Sequence, residues 1–443
     1  MAPAAARGAI IGSRLASVKG LRNPRVRIAI PGKTLARISF VATLRMKRLL
    51  LILLLSAAAD ASTLPGFHVQ LLQGTPGFVT ALAVDSQGTL YFSVKGGDII
   101  RAGAMPVVVA HVPTVGDGNS GLIGLALRDD HTAIVHYTTP RQTYDVVSAV
   151  NLDTGMETEI HRFATDRDFP ERGASTEHHG GNLTVAPDGT IFLAIGDYGI
   201  GIIASELDWN GGKVWRIDPD GTAVQFAHGF RNPFDLVWDA AAQRIILTDN
   251  GDVVDDEIDV VALGDDCGWP MTAGREPAVA GTRAPVYVFP TVVAPTGLAP
   301  LSGRNPILHR GFLLGSYVAK ALYYVPDVYA QPLPDPVAVI RGETDPIIDV
   351  IEAPNGDIYF ATGFGIYRLI VPMRGDCNGD GSVNSSDIAA LGKVLADGPQ
   401  PMTTVQNSSP SASWGCDANG DGLIDGRDLS LVLALVRGRA VRR

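Results

Sequence analysis

Cysteine is scarce in this chain. Three in 443 residues exclude a small scaffold built from disulfides. Long apolar runs are missing too, and the stretch LLLILLL (49–55) is too short to cross a bilayer as a permanent helix. A surplus of positive charge is absent: the net charge of −10 argues against nucleic acid as a partner. The first 45 residues hold nine Lys or Arg and no Asp or Glu, with no sustained apolar periodicity. From residue 66 to 371 no segment keeps a helical period, so a helix bundle is excluded. What is present is turn and core material. There are 50 glycines and 29 prolines, with 46% hydrophobic residues, in a chain long enough for two or three domains.

Met46-Lys47-Arg48, the short apolar run and then Ala59-Asp60-Ala61 have the order of a secretory signal peptide. The expectation is translation from Met46, residues 1–45 as an upstream extension without a folded role, and a signal over 46–61. An unusually long signal gives the same mature chain near Ser62. Either way the protein is exported, to the periplasm, the cell surface or the medium, with no permanent membrane span.

Between about 66 and 371 one pattern recurs: an apolar strand, a turn with Gly or Asp, a second strand and a looser pair. The copies are VTALAVDSQGTLYFSV (79–94), GLIGLALRDDHTAIVHYTT (121–139), GNLTVAPDGTIFLAIGD (181–197) and FDLVWDAAAQRIILTDNG (234–251). A weaker fifth runs over 296–325, and IDVIEAPNGDIYFATG (348–363) is the sixth. Six units of roughly 50 residues suit four-stranded propeller blades. The fold expected is all-β, a six-bladed β-propeller over 62–371.

The third unit carries the sharpest chemistry. Its two strands turn at Pro187-Asp188-Gly189, so paired positions sum to about 376. His178 and Asp197 therefore leave the same open end of one hairpin. An imidazole held by a carboxylate makes a general base; the plainer reading is a loop histidine and a strand-ending aspartate. Arg231 and Asn232 precede the inner strand of the fourth unit, Asp249 to Asp252 follow its partner, and Asn119 precedes the second. In a propeller these groups ring one mouth of the central channel.

At these residues the chain resembles the soluble pyrroloquinoline-quinone (PQQ)-dependent glucose/sorbosone dehydrogenases. The resemblance rests on the His-x-Gly-Gly…Pro-Asp-Gly…Gly-Asp run (178–197), GGKVWRIDPDG (211–221), HGFRNP (228–233), DDEIDVV (255–261) and CGWP (267–270). It implies that His178 takes a proton from a sugar or aldose hydroxyl while hydride passes to PQQ, and that Asp197 orients His178. Arg231 and Asn232, with Asn119 in place of a family glutamine, would hold the quinone. The carbonyls of Gly251 and Asp252 would ligate a calcium ion. Cations that the family carries in its last two blades fall here on Pro346, Ile348 and Val318, with Lys320 two residues off. The alternative is a non-catalytic propeller that binds carbohydrate or protein at the cell surface.

After residue 371 the style changes. Asp376, Asn378, Asp380 and Asp387 recur as Asp417, Asn419, Asp421 and Asp428, oxygen ligands at positions 1, 3, 5 and 12 of two loops. Gly381 and Gly422 stand at position 6, and the carbonyls of Ser382 and Leu423 would fill position 7. Each loop runs into a short apolar helix. The expectation is two Ca²⁺ ions held by a small α-helical calcium-loop module over 372–443. The module resembles a dockerin type I module, which implies a cohesin-like or cell-surface partner. Cys377 and Cys416 sit beside the first ligands of the two loops and are expected to pair, leaving Cys267 buried and inert.

Overall fold

The computed structural model describes residues 62–165, 177–274, 279–305, 307–308, 310–402 and 412–438. The expected upstream extension and signal peptide lie outside the described residues. Beside a two-stranded ribbon of Gln400–Pro401 with Leu423–Ile424, the described residues from Ser62 build six antiparallel sheets, five of four strands and one of five. Their innermost strands are Val79–Val84, Leu122–Asp129, Leu183–Val185, Pro233–Asp239, Pro295–Pro300 and Ile347–Glu352. Each packs beside the next, and the sixth returns to the first, so the sheets close into a six-bladed propeller.

Closure comes from the start of the described chain. His68–Gly74 is the outermost strand of blade 6, paired antiparallel with Gly365–Ile370. Ser62–Thr63 adds a fifth strand to blade 5 by pairing with Ile340 and Arg341. Two neighbouring blades are thus completed by one terminal segment. This removes a free seam from the ring.

The third blade shows why these residues make these strands. Ile191–Ile195 is buried at every position and reads as a continuous apolar run between two partner strands. Its pairs with the inner strand are Leu183–Leu193, Thr184–Phe192 and Val185–Ile191, the register expected from the turn at Asp188. The Asp188 carboxylate closes that turn by accepting from the amide of Thr190 at 3.0 Å.

Polar side chains tie the inner strands together. Asn182 Oδ1 accepts from the amide of Leu125 at 3.0 Å, Asp235 Oδ2 from Leu298 at 2.6 Å, and Asp349 Oδ2 from Leu82 at 2.6 Å. Each tie crosses to an adjacent blade and satisfies a backbone donor inside the channel. Burial holds the Asp235 carboxyl well above the usual carboxylate range and pushes that of Asp349 up to about 7.

The C-terminal segment forms helices Ser385–Leu395 and Gly426–Val436, each opened by a capping box at Asn384 or Asp425. Cys377 and Cys416 form a disulfide. The segment is fastened to the propeller. One hydrophobic core includes Leu313, Ile340 and Phe360 of the blades together with Leu391, Trp414, Ile424 and Val432. Trp414 is its keystone: 3% exposed, it lies edge-on to Phe67 at 5.7 Å and to Tyr324 at 5.0 Å. Phe67 stands between the two terminal strands, so the ring seam and the docked segment share one contact.

Truncating so large a buried ring typically costs about 3–5 kcal/mol. Trp414→Ala should therefore lower the unfolding free energy of the propeller by roughly that amount in denaturant titration, read by far-ultraviolet circular dichroism. An unchanged propeller transition would contradict the shared core.

Candidate functional site

The mouth of the channel where inner strands begin holds a cavity of about 520 Å³. Its lining comes from every blade: Phe78 and Thr80, Asn119 and Ser120, Gly180, Asn232 and Phe234, Thr296 and Tyr317, and Ile348. Aromatic and aliphatic walls with a few amides and hydroxyls suit an organic ligand of moderate size. Asn119 and Asn232 lie where the sequence places them. Ile348 lines the wall without charge, and Val318 is 53% exposed outside the lining.

Two residues before Gly180, His178 adopts a left-handed backbone with φ of 53°, uncommon for a residue with a side chain. That conformation brings its Nδ1 to 2.6 Å from Asp197 Oδ1, with both side chains almost fully buried. The approach requires Gly196, because a Cβ there would stand 2.5 Å from the His178 carbonyl oxygen. Asp197 accepts two further hydrogen bonds, from the amide of Gly199 at 2.8 Å and from Trp269 Nε1 at 2.9 Å. An ionised carboxylate only accepts, so the neutral imidazole donates from Nδ1 and keeps the lone pair of Nε2 available. The hairpin register thus brings together the pair that the sequence singled out.

Arg231 follows from the next blade. Its carbonyl accepts from the Asp197 amide at 2.8 Å, which locks the two loops together. Its own amide and that of Asn232 donate to the Asp249 carboxylate at 3.0 and 2.7 Å. Burial pushes the Asp249 carboxyl up to about 6 despite these donors. The Arg231 guanidinium donates to the carbonyls of Asn250 and Gly251 at 3.2 and 2.8 Å, meets the Asp252 carboxylate at 3.1 Å, and lies 5.7 Å from the Trp269 ring centre. The cation facing Gly251 and Asp252 is therefore Arg231 itself, and neither residue lines the cavity.

Two participants escaped the reading of the sequence. Trp269, in the CGWP motif, proves to be a donor to Asp197. Lys95 lines the cavity directly after the second strand of blade 1, Leu90–Val94. The signal is present in the sequence, since the same position just past the second strands of blades 3 and 4 is expected to face the mouth. Cys267 is only partly buried rather than buried, but burial and then Asp259 push its thiol well up, so it stays protonated.

The two C-terminal loops are near copies in their hydrogen bonding. Asp376 accepts from the amides of Asp380 at 3.1 Å and Gly381 at 3.0 Å; Asp417 accepts from Asp421 at 3.1 Å and Gly422 at 2.7 Å. Asp387 and Asp428 bridge back to the amides of Asn378 and Asn419 at 3.1 and 3.0 Å. Gly381 and Gly422 take φ of 83° and 81°, the left-handed bend each loop needs. Among the described residues no three His, Cys, Asp or Glu side chains converge closely enough to form a ready metal cage. The donors in each loop are nevertheless all oxygen, mixed among carboxylate, amide and carbonyl, which fits a hard cation.

Residues 79–366 match the profile of the family described as Glucose / Sorbosone dehydrogenase, and residues 374–436 match the Dockerin type I domain. Aldose sugar dehydrogenase YliI of Escherichia coli is 24% identical over 341 residues, covering 67% of this chain and 90% of that protein. The uncharacterised protein slr1608 of Synechocystis is 25% identical over 222 residues, or 42% of this chain, and the chain spans only 53% of it. Among solved structures, the PQQ-bound aldose sugar dehydrogenase of Streptomyces coelicolor superposes with a TM-score of 0.59 at 22% identity, covering 70% of this chain and 99% of that one.

The hydrogen-bond pattern around Asp197 makes a spectroscopic prediction. In ¹⁵N–¹H correlation spectra of the neutral ring, His178 should show a protonated Nδ1 and an unprotonated Nε2. The opposite tautomer would show that Asp197 does not orient the imidazole.

Proposed function

The chain belongs to the glucose/sorbosone dehydrogenase family, and on that premise we propose that it is an exported quinoprotein-type oxidoreductase acting on a sugar or aldose hydroxyl. The observation that carries this is the line Trp269–Asp197–His178, which ends two residues before Gly180 in the lining of a cavity to which all six blades contribute. The cavity fits a flat, polar cofactor, with aromatic walls for its faces and the side-chain amides of Asn119 and Asn232 for its edge oxygens. Bound PQQ supplies a two-electron, hydride-accepting centre. The chain's residues do the rest. His178 Nε2 receives the substrate hydroxyl proton, while Asp197 holds the tautomer and stabilises the imidazolium. Trp269 and the Gly199 amide fix Asp197 so that this geometry is set before substrate arrives. Arg231 braces the neighbouring loop through the Asn250 and Gly251 carbonyls and the Asp252 carboxylate. Since that guanidinium already occupies the Gly251 carbonyl, no step is assigned to a calcium ion there. The names of YliI and of the Streptomyces protein agree with the substrate class.

Purified protein supplied with PQQ should develop bound-quinone absorbance and reduce a dye with aldoses. His178→Ala should then lower kcat by about 10²–10⁴-fold while quinone uptake persists. His179→Ala should instead cost stability, because His179 is fully buried against the Tyr198 ring at 5.2 Å. Absence of quinone uptake by the wild type would replace the enzyme with a carbohydrate- or protein-binding propeller.

The C-terminal loops are proposed to bind two Ca²⁺ ions and to present the paired helices to a cohesin-like or cell-surface partner. Calorimetry on the full chain should count two ions, and Asp380→Ala should leave one. Unchanged stoichiometry in the variant, or cohesin binding indifferent to chelation, would contradict the assignment.

A further inference from the structure

Among the cavity-lining residues, one carries formal charge. It is Lys95, and it comes from blade 1, next in the ring to the blade 6 strand that holds Ile348. Its backbone is pinned on both sides: its amide donates to the Phe78 carbonyl at 2.9 Å, and its carbonyl accepts from Leu122 at 3.1 Å. The stem runs over Gly121, where a Cβ would stand 2.8 Å from the lysine Cγ. That fixes the direction of the side chain. At its end the ammonium donates to the carbonyl of Gly118, beside Asn119. An ammonium has three donors and this contact uses one. Among the described residues no carboxylate forms an ion pair with it, and Asp117 is the only charged group whose field supports its protonation, against a larger effect of burial that lowers it.

A half-buried cation without a counter-ion, held by its backbone at the edge of an otherwise neutral cavity, is a place for an anion. We propose that Lys95 is the anion-recognition residue of this cavity, with its ammonium and the adjacent Asn119 amide receiving a carboxylate of the bound ligand. This rests on the quinone reading and deepens it. PQQ carries three carboxylates, and Lys95 from blade 1 supplies a counter-charge for one of them, where the blade 5 and blade 6 positions supply none. Carboxylate-bearing planar ligands are selected, and neutral ones of the same outline are not. Lys95 is thus a binding and specificity residue, separate from the proton-accepting His178.

The test is a titration of the full chain with PQQ, followed by quinone absorbance and tryptophan quenching, for wild type, Lys95→Met and Lys95→Arg. Melting curves confirm that each variant is folded. Removing a charge-assisted hydrogen bond should weaken binding by about 10- to 100-fold in Lys95→Met. Lys95→Arg should recover most of the loss, and the salt sensitivity of wild-type affinity should flatten in the methionine variant. If wild type and Lys95→Met bind PQQ within twofold of each other, the role of Lys95 is overturned while the quinone reading stands. If wild type takes up no PQQ, the quinone reading falls, and the same comparison with benzene-1,3,5-tricarboxylate decides. Binding lost in Lys95→Met then supports the anion site, and equal or absent binding by both proteins overturns it.

Discussion

Everything at the mouth depends on closing the ring. The inner strands can share one cavity only if the sixth blade meets the first, and that meeting is completed by His68–Gly74 pairing with Gly365–Ile370. Each blade contributes only a few residues to the mouth, so no subset of blades makes the site. The docked C-terminal segment bears on the same seam through Phe67 and Trp414. Loop chemistry at Asp417 is also felt by the propeller: burial and then the Asp417 charge push the Tyr324 hydroxyl up to about 12. Propeller and C-terminal module therefore share a core, which gives any change in the loops a physical route to the stability of the ring.

Within the mouth, Asp197 is the hub. Its carboxylate gathers an imidazole, an indole and a backbone amide, and its own amide is held by Arg231 from the next blade. Such convergence in a buried place costs desolvation and left-handed backbone at His178 and Tyr198, both with φ of 53°. The site accepts those costs where packing alone would not call for them. That is the usual mark of residues arranged for chemistry.

Much of this was legible in the sequence because strand alternation and tight turns are local signals. The turn at Asp188 fixed a register, and the register put His178 opposite Asp197. Repetition of the strand-turn-strand pattern gave six blades, and the duplicated acidic loops gave the C-terminal module. What stayed hidden is long-range. Phe67 and Trp414 are distant in sequence, and nothing in either segment announces the other. Trp269 reaches Asp197 from a loop whose path depends on the third and fourth blades together. Lys95 stayed hidden because its direction is set across blades, by Gly118 and Gly121 at the start of blade 2, and a lone lysine after a strand reads as a solvated end.

We propose that the six-blade cavity is a quinone site, with His178 two residues from Gly180 in its lining. Crystals of the full chain soaked with PQQ test it most directly. The account predicts planar density inside the cavity, against Asn119 and Asn232, with the His178–Asp197 hydrogen bond intact. Density elsewhere on the protein, or a cavity holding only solvent at saturating quinone, would contradict it.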